Sequence, residues 1–77
     1  MPRYYFDTQD GEFSVHDNEG VECANLDEAG ALAVKSLPEM ARDALPDGDR
    51  RDFIVEVRDE TGKPVLGATL SLNVEHL

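Results

Sequence analysis

The sequence predicts an α+β fold: a two-layer β-β-α-β-β domain, an antiparallel sheet with one kinked helix packed on one face. Three observations predict it. Residues from Asn25 to about Leu45 carry the one run of apolar residues at helical period. A pair of strand candidates lies on either side of that run. Each pair is joined by an acidic turn ending in glycine, at Asp10-Gly11 and at Glu60-Thr61-Gly62.

The helix begins with its cap. Asn25 is a good N-cap residue, and Glu28 completes an Asn-x-x-Glu capping box. Asp27 and Glu28 put negative charge in the first turn, where the helix dipole favours it. Leu26, Ala29, Ala33, Leu37, Met40, Ala41 and Ala44 form one apolar stripe with several small members, so the helix can sit close to the sheet. Pro38 interrupts the run, because it lacks the amide that would bond the Val34 carbonyl. Either one helix kinks there, or Pro38 is the first residue of a second short helix. The stripe passes Pro38 without a change of phase, which favours the kink. Pro46 and Gly48 stop the helix.

The strands follow in order. Arg3–Asp7 places Tyr4 and Phe6 on one face and Tyr5 on the other. Thr8 to Gly11 reads as a turn, and Glu12–His16 as the return strand with Phe13 and Val15 on one face. Tyr4, Phe6 and Phe13 are expected as core beneath the helix. Asp17 to Gly20 is a second turn, and Val21–Cys23 a short extended piece before the cap. A polar loop from Asp47 to Arg51 leads to the strand Asp52–Asp59, with Phe53, Val55 and Val57 facing the helix. The last strand, from about Pro64 to Val74, sends Leu66, Ala68, Leu70, Leu72 and Val74 to one face and Val65 to the other. It could span about 36 Å at roughly 3.4 Å per residue. It would overhang its shorter neighbours unless it bends at Gly67.

Composition bounds the function. The 77 residues make one domain, 1–77, and a chain of that size buries only about 60–65% of its unfolded surface. Seventeen acidic against seven basic residues give a net charge of −10. Duplex binding needs clustered Lys and Arg, whereas the neighbours Arg50 and Arg51 stand between Asp49 and Asp52. Nucleic acid and anionic membrane are therefore excluded as expected partners, while a basic protein partner fits the charge. The start, Met1 to Asp7, lacks the apolar run of a signal peptide, and no stretch approaches the roughly 20 apolar residues of a membrane span. A cytoplasmic location is expected.

The opening Met-Pro-Arg-Tyr-Tyr-Phe, the Asp10-Gly11 turn, Asp17-x-Glu19-Gly20 and Val57-x-Asp59-Glu60-x-Gly62 resemble a family of short alphaproteobacterial proteins, common in rhizobia, catalogued as a domain of unknown function. The resemblance covers nearly the whole chain and implies no activity. That family often carries His where this chain has Asp7, and a helix without an internal proline.

No constellation points to chemistry. His16, Cys23 and His76 match no zinc spacing. The acidic turns at residues 7–12 and 17–20 fit no calcium loop, and Asp and Asn are favoured in turns for their own hydrogen bonding. Cys23 could meet His16, and stands before a helix start that would favour its thiolate, but no orienting group or oxyanion hole accompanies it. The chain reads as a non-enzymatic interaction module without cofactor, catalytic residue or metal ligand. Self-association, most simply as a homodimer, is the leading expectation. A basic protein partner is the alternative, and a small metal protein or enzyme the remote one. The candidate interface residues are Tyr5, Ile54 and Val65, as an apolar patch on the outer sheet face, and Leu70 and Leu72 on the edge of the last strand.

Overall fold

The fold is described from a computed structural model covering residues 1–11, 13–44 and 50–77. The elements are β1 (Arg3–Asp10), β2 (Phe13–Val15), β3 (Val21–Glu22), α1 (Leu26–Ala44), β4 (Arg50–Arg58) and β5 (Pro64–Asn73). They form the expected α+β arrangement. One antiparallel sheet runs in the order β2-β1-β4-β5. Both β2 and β3 pair with β1, the former at Thr8–Asp10 and the latter at Arg3 and Tyr4.

Cross-strand partners share a face, so the register fixes the two surfaces. Phe53, Val55 and Val57 of β4 lie opposite Asp10, Thr8 and Phe6 on one side and Leu70, Ala68 and Leu66 on the other. This is the face α1 covers. Phe53, Val55 and Val57 are fully buried with Ala29, Ala33 and Cys23, and Leu37 is nearly so. The alanines let the helix approach β4 closely, and Tyr4, Phe6, Met40, Leu66 and Ala68 pack around this centre. The outer face carries Tyr5, Asp7, Ile54, Glu56 and Arg58.

The helix starts as its cap requires. Asn25 Oδ1 accepts the Glu28 N–H at 2.9 Å. It runs as one element through Pro38, so the proline does not split it. Pro38 and Val34 are both exposed, so the carbonyl that loses its partner lies on the side open to water.

Several boundaries differ from expectation. Thr8, Gln9 and Asp10 are strand rather than turn, because each is paired both to β2 and to β4. The turn contracts onto Gly11, at φ 58°. β4 begins at Arg50, two residues before the expected start at Asp52, because Arg50 and Arg51 continue the ladder against Asn73 and Leu72. The expected helix stop at Pro46 and Gly48, the loop residues 45–49, and Glu12 lie outside the described residues. β5 does not overhang β4, since its pairing runs from Pro64 opposite Arg58 to Asn73 opposite Arg50. Instead β4 and β5 together outrun β1, whose pairing with β4 ends at Asp10 opposite Phe53. The irregularity falls where Leu66 pairs with Val57 and Pro64 with Arg58, not at Gly67. Val65 is the extra residue there. It turns in to pack against the core, so it does not join an outer-face patch.

Phe13 is the largest correction within the core. It faces the helix side, opposite Asp10, yet is 71% exposed. The reason is lateral reach: α1 packs on β4, β5 and β1, and β2 lies beyond it. The radius of gyration, 13.6 Å, against about 11.5 Å for a compact chain of this length, reflects the same elongated layout.

Candidate interaction surfaces

Of the family-like motifs, Arg3, Asp17-x-Glu19-Gly20 and Asp59-Glu60-x-Gly62 gather at one end of the sheet, where they hold turns, whereas Asp10-Gly11 closes the β1–β2 turn at the other end. Asp17 is the centre. Its Oδ1 accepts the N–H groups of Glu19 and Gly20 at 3.0 and 3.1 Å, and its Oδ2 accepts the Phe6 N–H at 3.0 Å. One carboxylate thus closes the turn and ties it to β1. Gly20 sits at φ 72°, and a Cβ there would lie 3.0 Å from the Tyr4 carbonyl oxygen and 2.8 Å from Arg3 Cγ. Glycine is required on both counts. Arg3 donates from Nη1 to the Glu19 carbonyl at 2.7 Å. At the other hairpin, Asp59 Oδ1 accepts from Thr61 N, Thr61 Oγ and Lys63 N. Glu60 Oε1 accepts the Arg3 N–H at 2.8 Å, which joins the two turns.

A polar cluster on the outer face extends this staple. Arg58 donates to Asp7 from Nε at 2.6 Å and from Nη2 at 3.1 Å. Nη2 also reaches the Asp17 carbonyl at 2.9 Å. Asp7 Oδ1 accepts the Asp17 N–H at 2.9 Å, and His16 Nδ1 lies 3.3 Å from it. The Arg58 guanidinium stands 5.1 Å above the Tyr5 ring. Asp, His and Arg together suggest acid–base chemistry, but the Arg58 forks and the Asp7 oxygens are committed to one another and to backbone. Cys23 lies apart, buried beneath the helix start, and burial followed by the charge of Glu28 pushes its thiol up from the ordinary value. That is the reverse of an activated nucleophile.

These carboxylates make stability depend on acid. The Arg58 hydrogen bonds hold Asp7 below its usual value. Burial works to raise Asp17, and the donated N–H groups of Phe6, Gly20 and Glu19 more than offset it. The Thr61 hydroxyl leads in lowering Asp59. A folded-state pKa below the unfolded one adds stability that is full above the unfolded value and is lost as pH falls through the folded one. The urea midpoint should therefore hold steady from neutral pH down to about 5 and drop below about 4. Asp7→Asn should reduce that acid slope. An unchanged slope in the variant would remove Asp7 from this account.

The expected interface residues separate into two places. Tyr5 and Ile54 are on the outer face, both half-buried, with Tyr5 taken up under Arg58. Val65 is in the core margin. Leu70 and Leu72 lie on β5, on the helix side, opposite Phe53 and Arg51. Among the described residues no strand pairs with the outer edge of β5. From Val65 to Val74 the chain carries no charged residue, although 31% of all residues are charged. The helix flank above this edge is identified by Gly30, whose Cβ position lies 3.0 Å from Leu66 Cδ1. Val34, one turn on along that flank, is 59% exposed.

Sequence reasoning missed a second apolar surface, because it placed Phe13 in the core. Phe13 and Val15 are exposed on the helix side of β2. Val15 borders an open concavity of about 450 Å³ that Phe6, Thr8, His16, Asp17 and Glu19 also line. No local signal in the sequence revealed it, because the strand order that puts β2 at a sheet edge is set by long-range pairing. Elsewhere, a concavity of about 680 Å³ opens past Gly11 where β4 outruns β1. It is lined by Phe13, Arg50, Arg51 and Asp52 among others, and Asp52 Oδ1 is buried without a partner among the described residues. Arg51 is paired with Asp10. Among the described residues no group of His, Cys, Asp and Glu is placed to hold a metal, and no helix is long and apolar enough to cross a membrane.

A family model described as a domain of unknown function matches residues 3–71, which takes in β1 through most of β5. No curated protein and no solved structure matches the chain.

Proposed function

We propose that this chain, which belongs to the domain-of-unknown-function family DUF6894, is a non-enzymatic interaction module that self-associates through the outer edge of β5. The observation that carries the reading is an edge strand of ten residues with no charge from Val65 to Val74 in a strongly acidic chain. Exposed edges are normally blunted by Lys, Glu, Pro or an inward charge. Here Pro64 stands only at the strand's first residue, and the bulge at Val65 is confined to that end.

An antiparallel β5–β5 contact across a two-fold axis would be isologous and self-complementary. Leu70 and Val34 would meet their counterparts on the helix side, adding apolar burial to the backbone hydrogen bonds. The pairing brings uncharged edges together and leaves the net charge of −10 on other surfaces. The outer face is the less favoured route, because Tyr5 is engaged by Arg58 and Val65 is turned inward. The acid–base groups are engaged in holding turns, and Cys23 is sealed, which supports a role without catalysis.

Light scattering across a dilution series, at low and high salt, tests this. The expected mass is about twice the 8.5 kDa of the chain. Leu70→Lys, and separately Thr69→Lys on the exposed outer side of the same strand, should return the monomer mass while the circular dichroism is kept. A monomer at every concentration would overturn self-association. A dimer broken by Ile54→Lys but not by either β5 variant would move the interface to the outer face.

A further inference from the structure

We propose that the β5 edge pairs with a second copy in one register, with the two-fold axis at Thr69 and Lys63 of each copy set against the partner's Glu75. This rests on the self-association reading above and names what selects the partner. The uncharged run of β5 is bracketed by charge. From Thr61 to Leu77 the chain holds one Lys, Lys63, and one carboxylate side chain, Glu75, and the two stand equally far in sequence from Thr69. Lys63 closes the β4–β5 turn. Its carbonyl accepts the Asp59 N–H at 2.9 Å, and its own N–H donates to Asp59 Oδ1 at 3.1 Å. Glu75 lies just past Asn73, where the ladder with β4 ends opposite Arg50. Both residues are exposed, and neither side chain makes an ion pair among the described residues.

The faces of the strand restrict the register. Directly opposite residues of an antiparallel pair share a face, so the helix-side residues Leu66, Ala68, Leu70 and Leu72 must meet one another. A two-fold axis satisfies this only when some residue stands opposite its own copy. With Thr69 at the axis, Leu70 lies opposite the partner's Ala68 and diagonal to the partner's Leu70. Leu66 then lies opposite the partner's Leu72, and Gly67 opposite the partner's Ser71. A large side chain thus faces a small one beside the axis. The strand from Val65 to Asn73 is paired throughout, and Pro64, which has no N–H, falls at the margin. At both ends Lys63 comes alongside the partner's Glu75. A parallel contact would instead set Lys63 against the partner's Lys63 and Glu75 against the partner's Glu75. The two unlike pairs offset part of the repulsion between copies that each carry −10.

Sedimentation velocity over a dilution series tests the register, with circular dichroism to verify folding. Glu75→Lys should weaken the dimer about tenfold, because it sets two cations together at both ends. It should do so although it lowers the overall negative charge; bulk repulsion alone would make that variant the tighter dimer. Lys63→Glu should weaken the dimer at least as much. An equimolar mixture of the two single variants should recover a mixed dimer near the parent's affinity, since every end then joins unlike charges. The gap between the parent and Glu75→Lys should shrink at high salt. A Glu75→Lys dimer as tight as the parent's, or a mixture no tighter than its components, would overturn the register while leaving β5 self-association in place. A parent that is monomeric at every concentration would overturn the pairing itself, and the register with it.

Discussion

Phe53→Ala should lower the unfolding free energy by about 3–5 kcal/mol. Phe53 is fully buried at the middle of the four-strand path, between Asp10 of β1 and Leu70 of β5, under the helix. Its ring belongs to the buried cluster that α1 covers, so truncation leaves a cavity as well as losing apolar burial. A chain of this length has a total stability of about 4–12 kcal/mol at roughly 0.05–0.15 kcal/mol per residue. The variant should therefore be partly unfolded at 37 °C or have a much reduced urea midpoint. Phe13→Ala supplies the control. Phe13 is the same residue type on the same side of the sheet, but mostly exposed. It should change stability by no more than about 0.5 kcal/mol. Equal losses in the two variants would mean that the helix covers β2 in solution.

Asp17→Ala should cost about 2–3 kcal/mol, by leaving the N–H groups of Phe6, Glu19 and Gly20 without their common acceptor. Asp17→Asn should cost less, about 1 kcal/mol. The asparagine oxygen can still serve Glu19 and Gly20, while its amide would confront the Phe6 N–H with another donor. The ordering Ala worse than Asn, read from urea midpoints, distinguishes loss of the turn from loss of charge. If both variants fell equally, the charge near Arg58 rather than the turn would be the larger contribution. Gly20→Ala should resemble Asp17→Ala, because it places a Cβ against the Tyr4 carbonyl at a positive φ.

The helix and the inner strands were legible because their signals are local. The Asn25 cap, the alanine-rich stripe and the alternation of Phe53, Val55 and Val57 each specify an element from neighbouring residues. What was not legible depends on partners distant in sequence. Thr8 to Asp10 has turn composition, yet two flanking strands hold it extended. Val65 belongs to the outer face by strict alternation, but one extra residue opposite Val57 and Arg58 turns it inward. Phe13 has the composition and spacing of a core residue, and only the lateral position of α1 leaves it outside. The motifs were visible as motifs, but their role was not. Asp17, Gly20, Asp59 and Arg3 act through hydrogen bonds that span the chain, and no spacing rule announces a staple of that kind. The β5 edge was reached through an overhang that the pairing with β4 removes, whereas the exposed face of β2 was hidden by the misplacement of Phe13.

Cys23 gives the molecule a clock. Its sulfur is sealed beneath the start of α1, and its backbone N–H is bound by the Pro2 carbonyl at 3.0 Å. A thiol reagent can therefore meet it only in a molecule whose helix start has lifted away or whose chain has opened completely. The labelling rate, followed against reagent concentration, counts those openings one molecule at a time. Comparison with the global unfolding rate then tells whether the helix start opens alone or only together with the sheet.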